Sequence, residues 1–470
     1  MLAPSDSSLS SRITIAVVVL ALLQVFHNMG FLLQVSNYGN YEYFDLETPY
    51  SAKTTIAYAV SVTYFKLNEH KNGFHQMDRA AVLHQSIKSA MKKSLRYDYH
   101  LYAFVHPDAI DAKPILERLG YLVQVREAPI NITEIANPRL IDAQSNGCCN
   151  EKEWLKLYSY LLLDYPVVVH LDLDTLVLRP MDDLFDFMTL SQDTAAPEIS
   201  YDQVQSFART STMWMNKIVD ERLTHSYKDI LEEPEQINFM FTRDYNMVDP
   251  PRKKPYQIGV QGGFLVIRPN LRDFNRMVEI ILSGGNFTIN HGWGGQSLGY
   301  GGYYGAGTIQ GLASYYYDYH EKGKRSIELN RCKYNTMVDD PYDEKKDTNE
   351  TLCRTLEETC EDCRESKLED VYTTHFTVCG KPEYCVDFDP VKERLCFQLM
   401  REWHKARSSL ELDWMKRFSS NDTKSGLMYE PQVGTGVDVT VSASGAMGHC
   451  NGPIYVPLLF PPEKQTKLWI

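Results

Sequence analysis

The segment that most restricts the fold is an uninterrupted apolar run, Val167-Val168-Val169, leading into His170-Leu171-Asp172-Leu173-Asp174. A strand that is apolar at successive positions, not at alternate ones, has both faces covered, as in a parallel sheet between layers of helices. Strand and helix signals alternate before this run. Ile56 to Thr63 reads as a strand; Ala80, Leu83, Ile87, Ala90, Met91 and Ser94 then recur at helical spacing. Tyr99 to Val105 reads as a second strand, Ile110 to Leu119 as a short helix and Tyr121 to Val125 as a third strand. Trp154, Leu157, Tyr158, Leu161 and Leu162 form a helical stripe just before the apolar run. Further on, Gly263 to Ile267 reads as a buried strand, followed by a helix carrying Leu271, Phe274, Val278 and Ile281 on one face. This order predicts an α/β domain with a doubly wound, mostly parallel sheet and a ligand crevice at the carboxyl ends of its strands.

Charge narrows the ligand classes. Of 470 residues, 48 are Lys or Arg and 61 are Asp or Glu, a formal net charge of −13, with no long basic run. Nucleic-acid binders depend on clustered cations against phosphate, so that class is excluded. A phosphate-bearing substrate would need a local cation.

Residues Ile13 to Val35 are uncharged and mostly apolar. At about 1.5 Å rise per residue such a helix crosses a hydrocarbon core of about 30 Å. The segment is expected to be a transmembrane signal anchor over 13–35, with a cleavable signal peptide as its rival. Arg12 precedes it and no Lys or Arg follows until Lys53, which puts residues 1–12 in the cytoplasm and the rest in the lumen. A stem over 36–53, a catalytic domain over 54–396 with insertions at about 192–257 and 339–370, and a C-terminal extension over 397–470 complete the expected organisation. Ten cysteines and glycosylation acceptors at Asn131, Asn286, Asn349 and Asn421 agree with a type II protein of the Golgi or endoplasmic reticulum membrane. Cys360 and Cys363 form a lone C-x-x-C that disulfides explain better than zinc.

Asp172 and Asp174 stand at positions i and i+2, so both carboxylates face one side of the strand and can meet one hard divalent cation. A bare D-x-D also occurs as a solvated strand end. Eleven glycines between Gly284 and Gly311 mark either a lid near a ligand or a low-complexity loop.

Three blocks carry a family resemblance. EWLKLYSYLLLDYPVVVHLDLDTLVLRPMDDLF, VQGGFLVIRPN and HFTVCGKPEYC resemble the family-eight, glycogenin-like retaining glycosyltransferases, whose nucleotide-diphospho-sugar transferase fold is of the GT-A type. The resemblance implies that Asp172, Asp174 and His375 bind Mn2+, with Mg2+ as the alternative, and that Lys156 and Lys381 contact the donor and its diphosphate. Lys156 has a solvated helix face as its plain alternative, and His375 a satisfied core position. Gln261, Gly262 and Gly263 would line the donor sugar, Gly380 the phosphate turn, and Thr63 the nucleoside unless it is only a strand cap. Gln310 is the candidate catalytic polar contact, with a helix-start residue as the alternative.

Departures are specific. Gln261 replaces the family's asparagine, a longer amide expected to keep the hydrogen bond and shift the sugar. Val378 replaces a motif glycine, Glu383 a tryptophan and Ile309 an aspartate thought to orient sugar or acceptor. Cys379 and Cys385 are expected to close a small disulfide loop around the Lys381 turn. The implied function is metal-dependent transfer of a sugar from a UDP-sugar to a glycan or glycoprotein acceptor in the secretory pathway, with retention. The competing expectations are a noncatalytic carbohydrate-binding or scaffold protein, motivated by Ile309 and Glu383, and sugar-nucleotide hydrolysis.

Overall fold

The structure is a computed structural model, and it describes residues 53–66, 73–145, 147–190, 237–247, 258–344, 351–355, 357, 359–386, 393–419, 431 and 448–461. All of them belong to the compact unit Lys53–Ile470. The expected anchor at 13–35, most of the stem and the acceptors Asn349 and Asn421 lie outside the described residues. No helix among the described residues is long and apolar enough to cross a membrane. Asn131 and Asn286 are exposed.

The strands are β1 (Thr54–Val62), β2 (Tyr97–Val105), β3 (Leu122–Val125), β4 (Val168–Leu171), β5 (Thr175–Val177), β6 (Phe239–Arg243), β7 (Val260–Ile267), β8 (Ser326–Glu328), the hairpin β9 (Tyr342–Glu344) and β10 (Thr351–Cys353), and β11 (Thr373–His375). Seven of them form one sheet in the order β3-β2-β1-β4-β7-β6-β8. The β-branched and small residues of β1 explain its central place. Ile56, Tyr58, Val60 and Val62 enter one core while Ala57 and Ala59 enter another on the opposite face. Burying each Val or Ile side chain contributes about 1.5–3 kcal/mol, so a central strand covered on both faces is stable only with helices on each side.

The mostly parallel sheet is borne out, with one correction. β7 runs antiparallel to both β4 and β6, so the sheet is mixed. β1 is parallel to β2 and β4, β2 to β3 and β6 to β8. The stripe at Trp154 is also helical in a tighter form than expected, a long 3-10 helix over Asn150–Leu161. Trp154, Leu155 and Leu157 are fully buried there, so tertiary packing holds a geometry that is rarely extended so far.

Helix α1 (Gly73–Met91) lays Ala80, Leu83, Ile87 and Ala90 on the sheet, at the spacing read from the sequence. Helix α2 spans Asp182–Leu190. Helix α3 (Leu271–Ser283) is capped by Asn270, whose side chain accepts from the Asp273 amide at 2.8 Å, and ends on Gly284 at φ 74. Helix α4 (Ile309–Ser314) begins within the last residues of the glycine-rich stretch. Helix α5 (Arg394–Ser419) packs on α1 and contributes Leu410 and Trp414 to the same core.

The glycine-rich stretch is neither an open lid nor a featureless loop. It wraps Trp293, which is fully buried and donates its indole N–H to the Ala306 carbonyl at 2.7 Å. Gly292 has φ +73, and a Cβ there would lie 2.1 Å from the Tyr300 carbonyl oxygen, so only glycine fits.

Four disulfides join Cys332 to Cys363, Cys353 to Cys360, Cys379 to Cys396 and Cys385 to Cys450. The expected Cys379–Cys385 loop is therefore wrong. Each of the two cysteines instead ties the Lys381 turn to a later part of the chain. Cys360 and Cys363 go to different partners, which removes the zinc alternative for that pair.

Candidate metal and donor site

Topology gathers the candidate residues on one edge. β1, β4 and β6 point the same way, so their carboxyl ends meet there, and β7, being antiparallel, begins there. Asp172 follows β4, Thr63 follows β1, and Gln261, Gly262 and Gly263 open β7. The chain turns tightly after β4 because the Thr175 hydroxyl donates to the Asp172 carbonyl at 2.7 Å. β11 then pairs antiparallel with β5, setting His375 opposite Thr175. The Phe376 amide bonds to the Asp174 carbonyl at 3.0 Å and fixes that register.

Asp172, Asp174 and His375 consequently offer ligand atoms within 4.8 Å of one another. His375 Nε2 stands 3.2 Å from Asp174 Oδ1 and 3.9 Å from Asp172 Oδ2. Its Nδ1 is buried without a hydrogen-bond partner, unlike a satisfied core histidine. Burial lowers the His375 pKa from its ordinary value, with Asp172 opposing, which favours the neutral ring that a metal requires. Two carboxylates and one imidazole suit a divalent cation of the Mn2+ or Mg2+ kind, so the residues present fit the implied ion. The Gly263 position is dictated by the ring: a Cβ there would lie 2.4 Å from His375 Cε1.

Two lysines flank the carboxylates. Lys156 is 3% exposed, which removes its reading as a solvated helix face. Its Nζ donates to Asp172 Oδ1 at 2.8 Å, to Glu153 Oε2 at 3.0 Å and to the Gly262 carbonyl at 3.0 Å. Burial penalises its charge, but Asp172 and Glu153 outweigh that and hold its pKa above the usual lysine range. Lys381 pairs with Asp174 from the opposite side. Gly380, before it, has φ +76 and forms the turn that aims the lysine. Glu383, in the place of the family's tryptophan, is buried against Arg79 of α1, whose Nε donates at 2.6 Å.

Other candidates fall at different distances from the chemistry. Gln310, at the start of α4, lies beside Gly262, and its Nε2 is buried without a partner. Ile309 is buried in the apolar cluster around Trp293, with its Cγ2 also beside Gly262. Gln261 braces the loop: its Oε1 accepts from the Gly263 amide at 2.6 Å and from Asn335 Nδ2 at 3.0 Å. Thr63 shares the edge, yet among the described residues no hydrogen bond joins it to the two aspartates or His375.

Sequence reasoning missed Asp244 and Asn335. Asp244 directly follows β6 on the same edge and is 2% exposed. Burial, and then the charge of Asp339, push its pKa up to about 6, while His375 opposes the shift. Asn335 sits at φ 56 and also bonds Thr242 at 3.0 Å. An acid directly after an apolar strand was the available signal for Asp244.

No family model and no curated protein matches the chain. Among solved structures, mouse xyloside xylosyltransferase 1 in its apo form is similar at TM-score 0.34 and 11% identity, over 60% of this chain and 87% of that one. An active-site mutant of LgtC aligns at TM-score 0.35 and 9% identity, over 76% and 96%. GlyE of Streptococcus pneumoniae TIGR4 aligns at TM-score 0.34 and 9% identity, over 80% and 67%. Likeness at this level leaves substrate and chemistry to the residues of the site.

Proposed function

We propose that the chain is a metal-dependent glycosyltransferase that moves a sugar from a UDP-sugar to a glycan or glycoprotein acceptor, with retention, in the lumen of the secretory pathway. The observation that carries this reading is the cluster of Asp172, Asp174 and His375 at the carboxyl edge of the sheet, flanked by Lys156 and Lys381. Two carboxylates beside a neutral imidazole form a cation site, and cations beside a cation site form a place for a diphosphate. When bound there, Mn2+ would supply Lewis-acid stabilisation of the departing diphosphate.

This chain's own residues do the rest. Lys381, swung from Asp174, places its ammonium on the diphosphate and offsets charge that a protein of net −13 otherwise repels. Lys156 stays fixed by three bonds and orients Asp172. The unpartnered Nε2 of Gln310 is a free donor beside Gly262, suited to a sugar or acceptor hydroxyl. Four disulfides among the described cysteines support an oxidising compartment. Retention and the UDP moiety rest on the family resemblance.

Release of UDP from a panel of UDP-sugars, with Mn2+ or with chelator, tests the reading. The expected result is metal-dependent release with one sugar, lost in Asp174→Ala. A protein that releases nothing and binds no UDP would favour the scaffold reading, and free sugar without acceptor would favour hydrolysis.

A further inference from the structure

Two cysteines stand outside the four disulfides, and they are adjacent: Cys148 and Cys149. Their sulfurs are 2.8 Å apart. Cys148 also donates to Glu153 Oε1 at 2.8 Å, and Cys148, Cys149 and Glu153 form the second of the two close groups of ligand-type side chains among the described residues. Glu153 is 9% exposed and its other oxygen holds Lys156, which holds Asp172. A continuous hydrogen-bonded chain therefore runs from a thiol pair, of which Cys148 is exposed and Cys149 half-buried, to a carboxylate of the candidate cation site.

Covalent geometry sets this pair apart from the other eight cysteines. The four disulfides span Cα separations of 4.8 to 5.7 Å, inside the relaxed range of about 4.4–6.8 Å. Neighbouring residues across a trans peptide have Cα atoms only about 3.8 Å apart, so a bond between them is strained and easily reduced. Strained, exposed disulfides are the labile ones, and relaxed ones persist under the same redox poise.

We propose that Cys148 and Cys149 form a reversible vicinal disulfide that acts on the cation site through Glu153 and Lys156. The oxidant is a low-molecular-weight disulfide. A thiolate of the pair attacks it, forming a mixed disulfide and releasing one thiol. The neighbouring thiolate then displaces the second, so two thiols of the protein are oxidised and one disulfide is reduced to two thiols. Closure removes the S–H that Glu153 accepts. Lys156 then becomes the principal partner of Glu153, is drawn from Asp172, and leaves that carboxylate more available to a divalent cation. The coupling rests on the cation-site reading above; the disulfide itself does not.

The test equilibrates purified full-length protein first with reduced and then with oxidised glutathione, alkylates free thiols, and maps the peptides by mass spectrometry. The expected result is that Cys148 and Cys149 alkylate in the mild reductant while the other four bonds persist, and become linked to each other in the oxidant. Thiols that still alkylate after oxidation, or a linkage that survives the reductant, would overturn the proposal. So would a tightly held zinc ion that protects both thiols. Calorimetry with Mn2+ is expected to give several-fold tighter binding in the oxidised state. Cys148→Ser, whose hydroxyl keeps a donor towards Glu153, is expected to remove that redox dependence. Equal affinities in the two states would overturn the coupling. Absence of Mn2+ binding in both states would sink the cation-site reading and the coupling with it, and the peptide map would then decide the disulfide alone.

Discussion

His375 Nε2 lies 3.2 Å from Asp174 Oδ1 because β11 returns antiparallel to β5, so residues remote in sequence meet at one site. The pairing is specific to the ring, since Gly263 leaves no room for any side chain beneath it.

Substituting Gly263 by alanine places a methyl group 2.4 Å from the ring carbon. The overpacking is expected to cost about 1–3 kcal/mol, or to displace His375. Thermal unfolding combined with Mn2+ titration checks this. A variant of normal stability and normal affinity would contradict the packing argument.

Asp174→Asn keeps the shape of the side chain and removes a charge from both the cation and Lys381. Mn2+ affinity is expected to fall roughly 100-fold, whereas Lys156→Met, which removes the cation paired with Asp172, is expected to tighten Mn2+ binding several-fold. Titration calorimetry of the two variants ranks them.

Asp244 gives a pH prediction in the metal-free protein. Its folded pKa of about 6 lies above the ordinary value of 3.8, so the folded state holds the proton more tightly between those values. Stability contributed by the protonated form is therefore present below about pH 4 and lost as pH rises through 6. Asp244→Asn is expected to raise stability at pH 7.5 by about 1–3 kcal/mol and to have little effect at pH 4. Denaturant unfolding at the two pH values measures the difference.

Glu383 is buried and held by Arg79. Removing the arginine strands a carboxylate, so Arg79→Ala is expected to destabilise by about 2–4 kcal/mol. Arg79→Met with Glu383→Gln is expected to recover much of that loss, because no uncompensated charge remains. A double-mutant cycle by chemical denaturation reads both.

The parts legible in the sequence are those that a local pattern specifies. Unbroken burial of Val167, Val168 and Val169 identified a central strand, and helical spacing from Ala80 to Ala90 identified α1. Asp172 and Asp174 are marked as a pair by their spacing, although the turn after β4, not strand alternation, brings their carboxylates together, and His375 is marked by the family resemblance. Strand direction left no such mark: β7 is as apolar antiparallel as it would be parallel. Asp244 and Asn335 join the edge through tertiary placement, and Asn335 bonds Gln261 from a loop that no periodicity describes. The disulfide error has the same origin, since Cys379 and Cys385 are neighbours in sequence but face Cys396 and Cys450 in space.

The central claim is that Asp172, Asp174 and His375 hold a divalent cation that in turn binds a diphosphate. Its most direct measurement is calorimetric titration of UDP into the purified protein with Mn2+ and with excess chelator, repeated on Asp174→Asn. The account predicts UDP binding in Mn2+ that is lost in chelator and strongly weakened in the variant. UDP binding of equal strength with and without the metal, or none in either condition, would contradict it.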